Sequence, residues 1–208
     1  MISKQLPLNP TSFAAFVMYL FFDTETTGLP RSFIAPESDF DNWPRLVQIA
    51  WILCDEKGGE VSRKSLIIKP EGFTIPEDAV RIHKITTEMA LDKGIPLAEA
   101  LSEFNQATLK ADVLIAHNIA FDQRIIGAEF LRKDIPSGIT RLKPFCTMLN
   151  STEFCKLPSY RGWKPPRLYE LHMKLFSKGF ERAHDALADT EACMRCFFEL
   201  KNKGVVKI

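Results

Sequence analysis

Net charge is nearly absent from these 208 residues: 27 basic side chains against 26 acidic ones leave +1. A protein that neutralises many phosphates along an extended polyanion needs a large basic excess. Any grip this chain has on nucleic acid is therefore expected to be short, salt-sensitive and of low processivity. Long apolar runs are lacking too. The stretch Phe13 to Phe22 falls well short of the roughly 20 residues that a membrane span requires. It has the apolarity of a signal-peptide core, but it runs straight into Asp23 without a small-residue cleavage site, and it reads as a lead-in followed by a first buried strand. Cysteines number five, Cys54, Cys146, Cys155, Cys193 and Cys196, and the one Cys-x-x-Cys has no second pair. That excludes a zinc ribbon and makes reduced thiols in a cytoplasm the simplest account. No internal repeat or long low-complexity linker divides the chain. Residues 1–208 read as a single α/β domain, with a core of about 19–201.

What is present begins with two acids. In Phe21-Phe22-Asp23-Thr24-Glu25-Thr26-Thr27-Gly28, alternate strand residues point to one face, so Asp23 and Glu25 aim two carboxylates at the same region. Side by side they repel and raise each other's pKa, which suits a site that holds cations, and hard oxygen donors favour magnesium or manganese. The alternative is an ordinary Asx turn at a strand end.

Two further clusters bear on that choice. Ala116-His117-Asn118-Ile119-Ala120-Phe121-Asp122 follows the apolar run Val113-Leu114-Ile115 and leads into the helical spacing of Ile125, Ile126, Phe130 and Leu131. Asp122 falls in the first helical turn, where the macrodipole favours a charged carboxylate. Asn118 is open to a capping role and His117 to that of a satisfied loop residue. Ala183-His184-Asp185-Ala186-Leu187-Ala188-Asp189 heads a final helix. Five residues are about 140° of helix, so His184 and Asp189 cannot face one site from a regular helix. His184 is placed on the preceding loop, with Asp185 as N-cap and Asp189 just inside the first turn. A mobile histidine beside four carboxylates has the chemistry of a general base.

Asp-x-Glu-Thr-Thr-Gly, His-Asn-x-x-Phe-Asp and His-Asp-Ala-x-x-Asp, in that order, resemble the three motifs of the DnaQ-like (DEDDh) 3'-5' exonucleases. That family includes the proofreading epsilon subunit of bacterial replicative polymerase, ribonuclease T and oligoribonuclease. The resemblance runs from about Leu20 to Leu200. It implies that Asp23, Glu25, Asp122 and Asp189 hold two divalent cations, Mg2+ or Mn2+, about 4 Å apart. It also implies that His184 activates water, so that nucleoside 5'-monophosphates are released. Carboxylates around His184 should raise its pKa, and activity is expected to rise from neutral toward alkaline pH.

The same resemblance implies substrate contacts at the 3' end from Thr26, Gly28 and Leu29, the last as a wedge beside the terminal base. Ile82 and His83, in a loop spanning Val80 to Thr86, would lie against the last nucleotide, with Phe121 beneath it. Leu29, Ile82 and Phe121 have core packing as their alternative. The implied substrate is single-stranded or frayed DNA, favoured over RNA. Lys156, Arg161, Lys164 and Arg167, with Trp163 among them, are either a nucleic-acid contact or a solvated loop. Association with a polymerase or sliding clamp has no clear motif, because Gln5-Leu6-Pro7-Leu8-Asn9 lacks the aromatic of a clamp peptide. The chain ends soon after the final catalytic helix, without the long C-terminal extension that tethers the proofreading subunit, which leaves both a free-standing enzyme and a proofreading subunit open. A non-catalytic nucleic-acid-binding module would need a broken site, and all five catalytic residue types are present.

Periodicity predicts strands near Tyr19–Asp23, Leu46–Cys54, Val61–Ile68, Val113–Ala116 and Pro144–Met148. It predicts helices near Thr86–Asp92, Leu97–Leu109, Ile119–Arg132, Leu168–Ser177 and Asp185–Lys201. Together these suggest a mixed sheet flanked by helices. The resemblance implies a ribonuclease H-like α/β fold, five strands in the order 3-2-1-4-5 with strand 2 antiparallel. The segment Pro30 to Pro44 is longer than most connections and is left open between a substrate-side loop and an insertion.

Overall fold

The computed structural model describes residues 17–208. The Gln5–Asn9 peptide and the first part of the Phe13–Phe22 stretch lie outside those residues. Five strands form the main sheet: β1 (Met18–Thr26), β2 (Leu46–Asp55), β3 (Glu60–Ile67), β4 (Val113–Ala116) and β5 (Lys143–Cys146). Their order is β3-β2-β1-β4-β5, with β2 antiparallel to both neighbours and β4 parallel to β1 and β5. This is the ribonuclease H-like arrangement. A short turn joins β2 to β3 and an irregular segment joins β1 to β2, whereas each parallel partner is reached through helices: α1 (Glu77–His83), α2 (Thr87–Lys93) and α3 (Leu97–Thr108) before β4, and α4 (Ile119–Arg132) before β5. Two short helices, α5 (Thr147–Asn150) and α6 (Thr152–Cys155), then lead to a hairpin of β6 (Leu157–Ser159) and β7 (Gly162–Lys164), followed by α7 (Leu168–Phe176) and α8 (Ala186–Asn202). Among the described residues, no helix is long and apolar enough to cross a membrane.

The two faces of β1 sort its side chains. Leu20 and Phe22 join Phe104 of α3 and Ile125, Ile126 and Phe130 of α4 in one buried cluster. Tyr19 and Phe21 point the other way, to Leu171 of α7 and Phe197 and Leu200 of α8. Phe197 is the hub on that side, meeting Tyr19, Phe21 and Phe145 edge-on with ring centroids 5.2, 5.3 and 5.4 Å away. Alternation carries Asp23 and Glu25 onto this α8 face. At the end of β1 the register with β2 shifts between Glu25 and Thr26. Such an irregularity at a strand end re-aims the residues beside it.

Several boundaries differ from the sequence reading. The strand expected at Pro144–Met148 ends at Cys146, because Thr147 is buried, its hydroxyl bonds Ala116 O at 3.3 Å, and it begins α5. Thr86 lies outside its helix as the cap, accepting from Met89 N at 3.1 Å. The segment expected as a loop over Val80–Thr86 instead opens in α1. That helix carries Glu77 and Asp78 in its first turn and closes at Lys84, whose φ is +65°. The β6–β7 hairpin was likewise not legible as strands. The Pro30–Pro44 segment has no regular structure and is fastened along α4. Arg124 Nη1 donates to Ala35 O at 2.7 Å, and Arg132 Nη2 donates to Phe40 O at 2.7 Å and Trp43 O at 2.8 Å.

Candidate active site

The carboxyl end of β1 lies between the first turns of α4 and α8, a place where open α/β sheets leave a crevice. Asp23 and Glu25 come from β1, Asp122 is the fourth residue of α4, and Asp189 is the fourth residue of α8. Burial is the main cause that raises all four carboxyls, and their mutual repulsion adds to it. Asp23 is held well above the usual range by burial and by Asp122, Asp189, Glu25 and Asp185. Glu25 is pushed up to about 8 by burial and by Asp189, Asp122 and Asp185. Asp189 is raised to about 6 by burial, against the pull of the His184 backbone.

For Asp122 the expectation from the macrodipole was a readily charged carboxylate. Burial outweighs it: the group is raised to about 7, although hydrogen bonds from Thr24 and from its own helix-end amide oppose the rise. Thr24 donates both its hydroxyl, at 2.7 Å, and its amide, at 3.2 Å, to Asp122 Oδ1.

Among the described residues, no Lys or Arg forms an ion pair with any of the four acids. Converging hard oxygen donors without a cationic side chain fit divalent cations. Glu25, His184 and Asp189 bring ligand atoms within 4.8 Å of one another. Asp23 and Asp122 stand outside that triangle. His184 is exposed, has φ +69°, and lies on the loop before α8, as its spacing from Asp189 requires. Its amide donates to Asp189 Oδ2 at 2.9 Å. Asp185 caps α8, accepting from Ala188 N at 3.0 Å.

The residues expected at a substrate end separate into two kinds. Leu29 is 76% exposed and Ile82 53%, so neither is core. Gly28 takes φ +150°, and the preceding turn is closed by Thr26 Oγ1 donating to Gly28 O at 2.6 Å. Phe121 is half-buried against the α3/α4 cluster and faces the exposed Phe33, with ring centroids 6.5 Å apart. His83 is buried at 6% exposure, which holds its pKa down. Its Nδ1 accepts from Ile85 N at 3.1 Å, while Nε2 has no partner among the described residues.

A protein-family model described as Exonuclease matches residues 20–197. The chain belongs to the exonuclease family. The DNA polymerase III subunit epsilon of Treponema pallidum (strain Nichols) is 30% identical to it over 183 residues, 87% of this chain and 75% of that protein. The PolC-type DNA polymerase III of Streptococcus mutans is 32% identical over 181 residues, 86% of this chain and 11% of the polymerase. Among solved structures, E. coli exonuclease I in complex with a dA16 oligonucleotide is similar with a TM-score of 0.70 at 21% identity, over 89% of this chain and 41% of that one. This exonuclease-family chain therefore spans most of the epsilon relative but only a minor part of the polymerase and of exonuclease I.

Three supports of this family member's site escaped sequence reasoning or were left open by it. Thr24 holds Asp122, as above. Gln48 is the cross-strand partner of Glu25, and its Oε1 accepts from Ala186 N at 3.1 Å, so β2 fastens the start of α8 over the acids. Its signal was a lone amide in the otherwise apolar run Leu46 to Cys54. His117 settles as a partly buried structural residue. One ring nitrogen meets Thr147 Oγ1 at 3.0 Å and the other Pro166 O at 3.0 Å, and burial depresses its pKa to about 4. Asn118 occupies the cap position of α4 at φ +73° but makes no side-chain capping bond.

Proposed function

We propose that this chain is a 3'-5' exonuclease that hydrolyses terminal phosphodiester bonds of single-stranded or frayed DNA and releases nucleoside 5'-monophosphates. The observation that carries the reading is the convergence of Asp23, Glu25, Asp122 and Asp189, with no cationic side chain paired to them among the described residues, and with His184 beside them on a loop. The four carboxylates would hold two divalent cations, Mg2+ or Mn2+. When bound, these supply Lewis acidity toward the phosphodiester and its leaving 3'-oxygen. Asp122, steadied by Thr24, and Asp189, steadied by the His184 amide, keep their oxygens aimed at the crevice. His184 accepts the proton of the attacking water at a ring nitrogen and returns it to solvent from its exposed loop. The water oxygen bonds to phosphorus as the P–O3' bond breaks, and the departing 3'-oxygen takes a proton from solvent.

Thr26 and Gly28 shape the turn that presents Leu29 beside the terminal base, while Ile82, His83 and Phe121 supply apolar and edge contacts to an unpaired 3' nucleotide. Residues 19–201 act as one exonuclease domain. The relatives named as a DNA polymerase III subunit and a PolC-type DNA polymerase III support DNA as substrate, in proofreading, repair or turnover. Five free, buried cysteines suit a reducing cytoplasm.

The test is hydrolysis of 5'-labelled single-stranded DNA, duplex DNA and short RNA with magnesium, manganese or chelator. A descending ladder from single-stranded DNA, abolished by chelator, is expected. Cleavage of a circular single strand, or first release of the 5'-terminal nucleotide, would overturn the 3' end assignment. Preference for short RNA would move the enzyme to the exoribonucleases.

A further inference from the structure

The segment from Lys156 to Arg167 holds four cations, Lys156, Arg161, Lys164 and Arg167, and no carboxylate, in a chain whose net charge is only +1. Lys164 is neutralised by Glu170 at 2.7 Å, whereas Lys156, Arg161 and Arg167 enter no ion pair among the described residues. The segment folds into the β6–β7 hairpin, in which Leu157 pairs with Lys164 and Pro158 with Trp163. Leu157 packs toward the α7/α8 core, so alternation turns Pro158 and Trp163 outward. Trp163 is 46% exposed, and Tyr160, on the turn beside Arg161, is fully exposed. The other two tryptophans, Trp43 and Trp51, are buried. An outward tryptophan and tyrosine among unpaired cations have the composition of a stacking platform for an unpaired strand.

The hairpin is also joined to the acids. Pro166 O is held by the His117 ring, and Arg167 and Tyr169 line a cavity of about 550 Å3 together with Phe180, His184 and Asp189. Arg167 is four chain steps from Trp163, a reach of at most about 14 Å. We propose that the β6–β7 hairpin and the Arg167–Tyr169 wall form the track along which a single strand of nucleic acid approaches His184 and Asp189. Trp163 and Tyr160 stack bases, and Arg161, Lys156 and Arg167 meet phosphates. The inference rests on the exonuclease reading for the identity of the strand's destination, but not for its binding. Stacking is indifferent to sugar and sequence, so the track takes oligothymidylate and oligouridylate alike.

Two measurements on the full chain separate the proposal from the reading it rests on. Without hydrolysis, in chelator, an oligothymidylate of about twelve nucleotides should quench the emission of Trp163. Trp163→Phe should bind with little quenching, and Trp163→Ala should bind about tenfold more weakly. Arg161→Ala should flatten the dependence of log affinity on log salt by about 0.7. With divalent cation, the ratio of oligonucleotide turnover to turnover of a nucleoside 5'-monophosphate aryl ester, which fills only the terminal site, should fall about tenfold in Trp163→Ala. If that variant fails to fold, Arg161→Glu on the exposed turn provides the same comparison. Unquenched wild-type emission, or affinities and salt slopes identical in wild type and variants, would overturn the track and leave the hairpin as a protein-facing surface. If the wild type is quenched yet hydrolyses neither substrate, the track stands and the exonuclease reading falls.

Discussion

Thr24 closes two hydrogen bonds, from its hydroxyl at 2.7 Å and its amide at 3.2 Å, onto one carboxylate oxygen of Asp122, a residue 98 positions further along the chain. The residue between the two β1 acids thus fixes the acid of α4, and three carboxylates are positioned by one short piece of strand. Thr24 points to the face opposite Asp23 and Glu25, the face on which α4 packs, so this tie clasps α4 directly to the strand.

Replacing Thr24 by valine keeps the shape of the side chain and deletes the donor. The Asp122 carboxylate, already raised to about 7, should rise further. Hydrogen bonds to charged groups contribute about 1.5–3 kcal/mol, so affinity for divalent cation at neutral pH should fall roughly tenfold to a hundredfold, while Thr24→Ser stays near wild type. Calorimetric titration with magnesium or manganese measures this, and the melting temperature checks folding. Equal affinities in the valine and serine variants would show that the hydroxyl does not tune the acid.

The clustered acids also predict the pH dependence of the metal-free protein. Glu25 at about 8, Asp122 at about 7 and Asp189 at about 6 all lie above the roughly 4 of an unfolded carboxylate. Between these limits the native state binds protons that the unfolded chain has released. Their contribution is full below about pH 4 and is lost as pH rises through about 6 to 8. In chelator the melting temperature should therefore fall across that window. Divalent cation should restore it and displace protons, which makes the binding enthalpy depend on the ionisation enthalpy of the buffer. A chelated protein that grows more stable from pH 5 to 8 would contradict the burial of these charges.

His184 and Asp122 should fail in different ways. His184→Ala is expected to keep cation and DNA binding and lose about two to four orders of magnitude in turnover, with the ascending limb of the pH profile flattened. Asp122→Ala should lose binding and turnover together. The comparison has force because the ring of His184 lies within 4.8 Å of the Glu25 and Asp189 oxygens, near enough to ligate. Cation affinity reduced as severely in His184→Ala as in Asp122→Ala would make His184 a ligand instead of a base.

Much of this was decided locally and so could be read from the sequence. Alternation along β1 set Asp23 and Glu25 on one face, helix-start chemistry located Asp122 and Asp189 in first turns, and the 140° offset put His184 on a loop, with Asp185 as its cap. The apolar runs of β2 and β4 and the spacing of α3, α4 and α8 have the same local origin. What only the tertiary structure decided depends on residues far apart in sequence. Burial, set by the packing of α4 and α8 on the sheet, overrode the helix macrodipole at Asp122 and raised its pKa. Thr24, Gln48 and His117 gained their roles from partners across the fold that no local pattern announces. The α1 helix and the β6–β7 hairpin form because Ala79 and Leu157 find apolar neighbours in the folded chain. Exposure of Leu29 and Ile82, and burial of His83, follow from what covers each one, and covering is a property of the whole molecule.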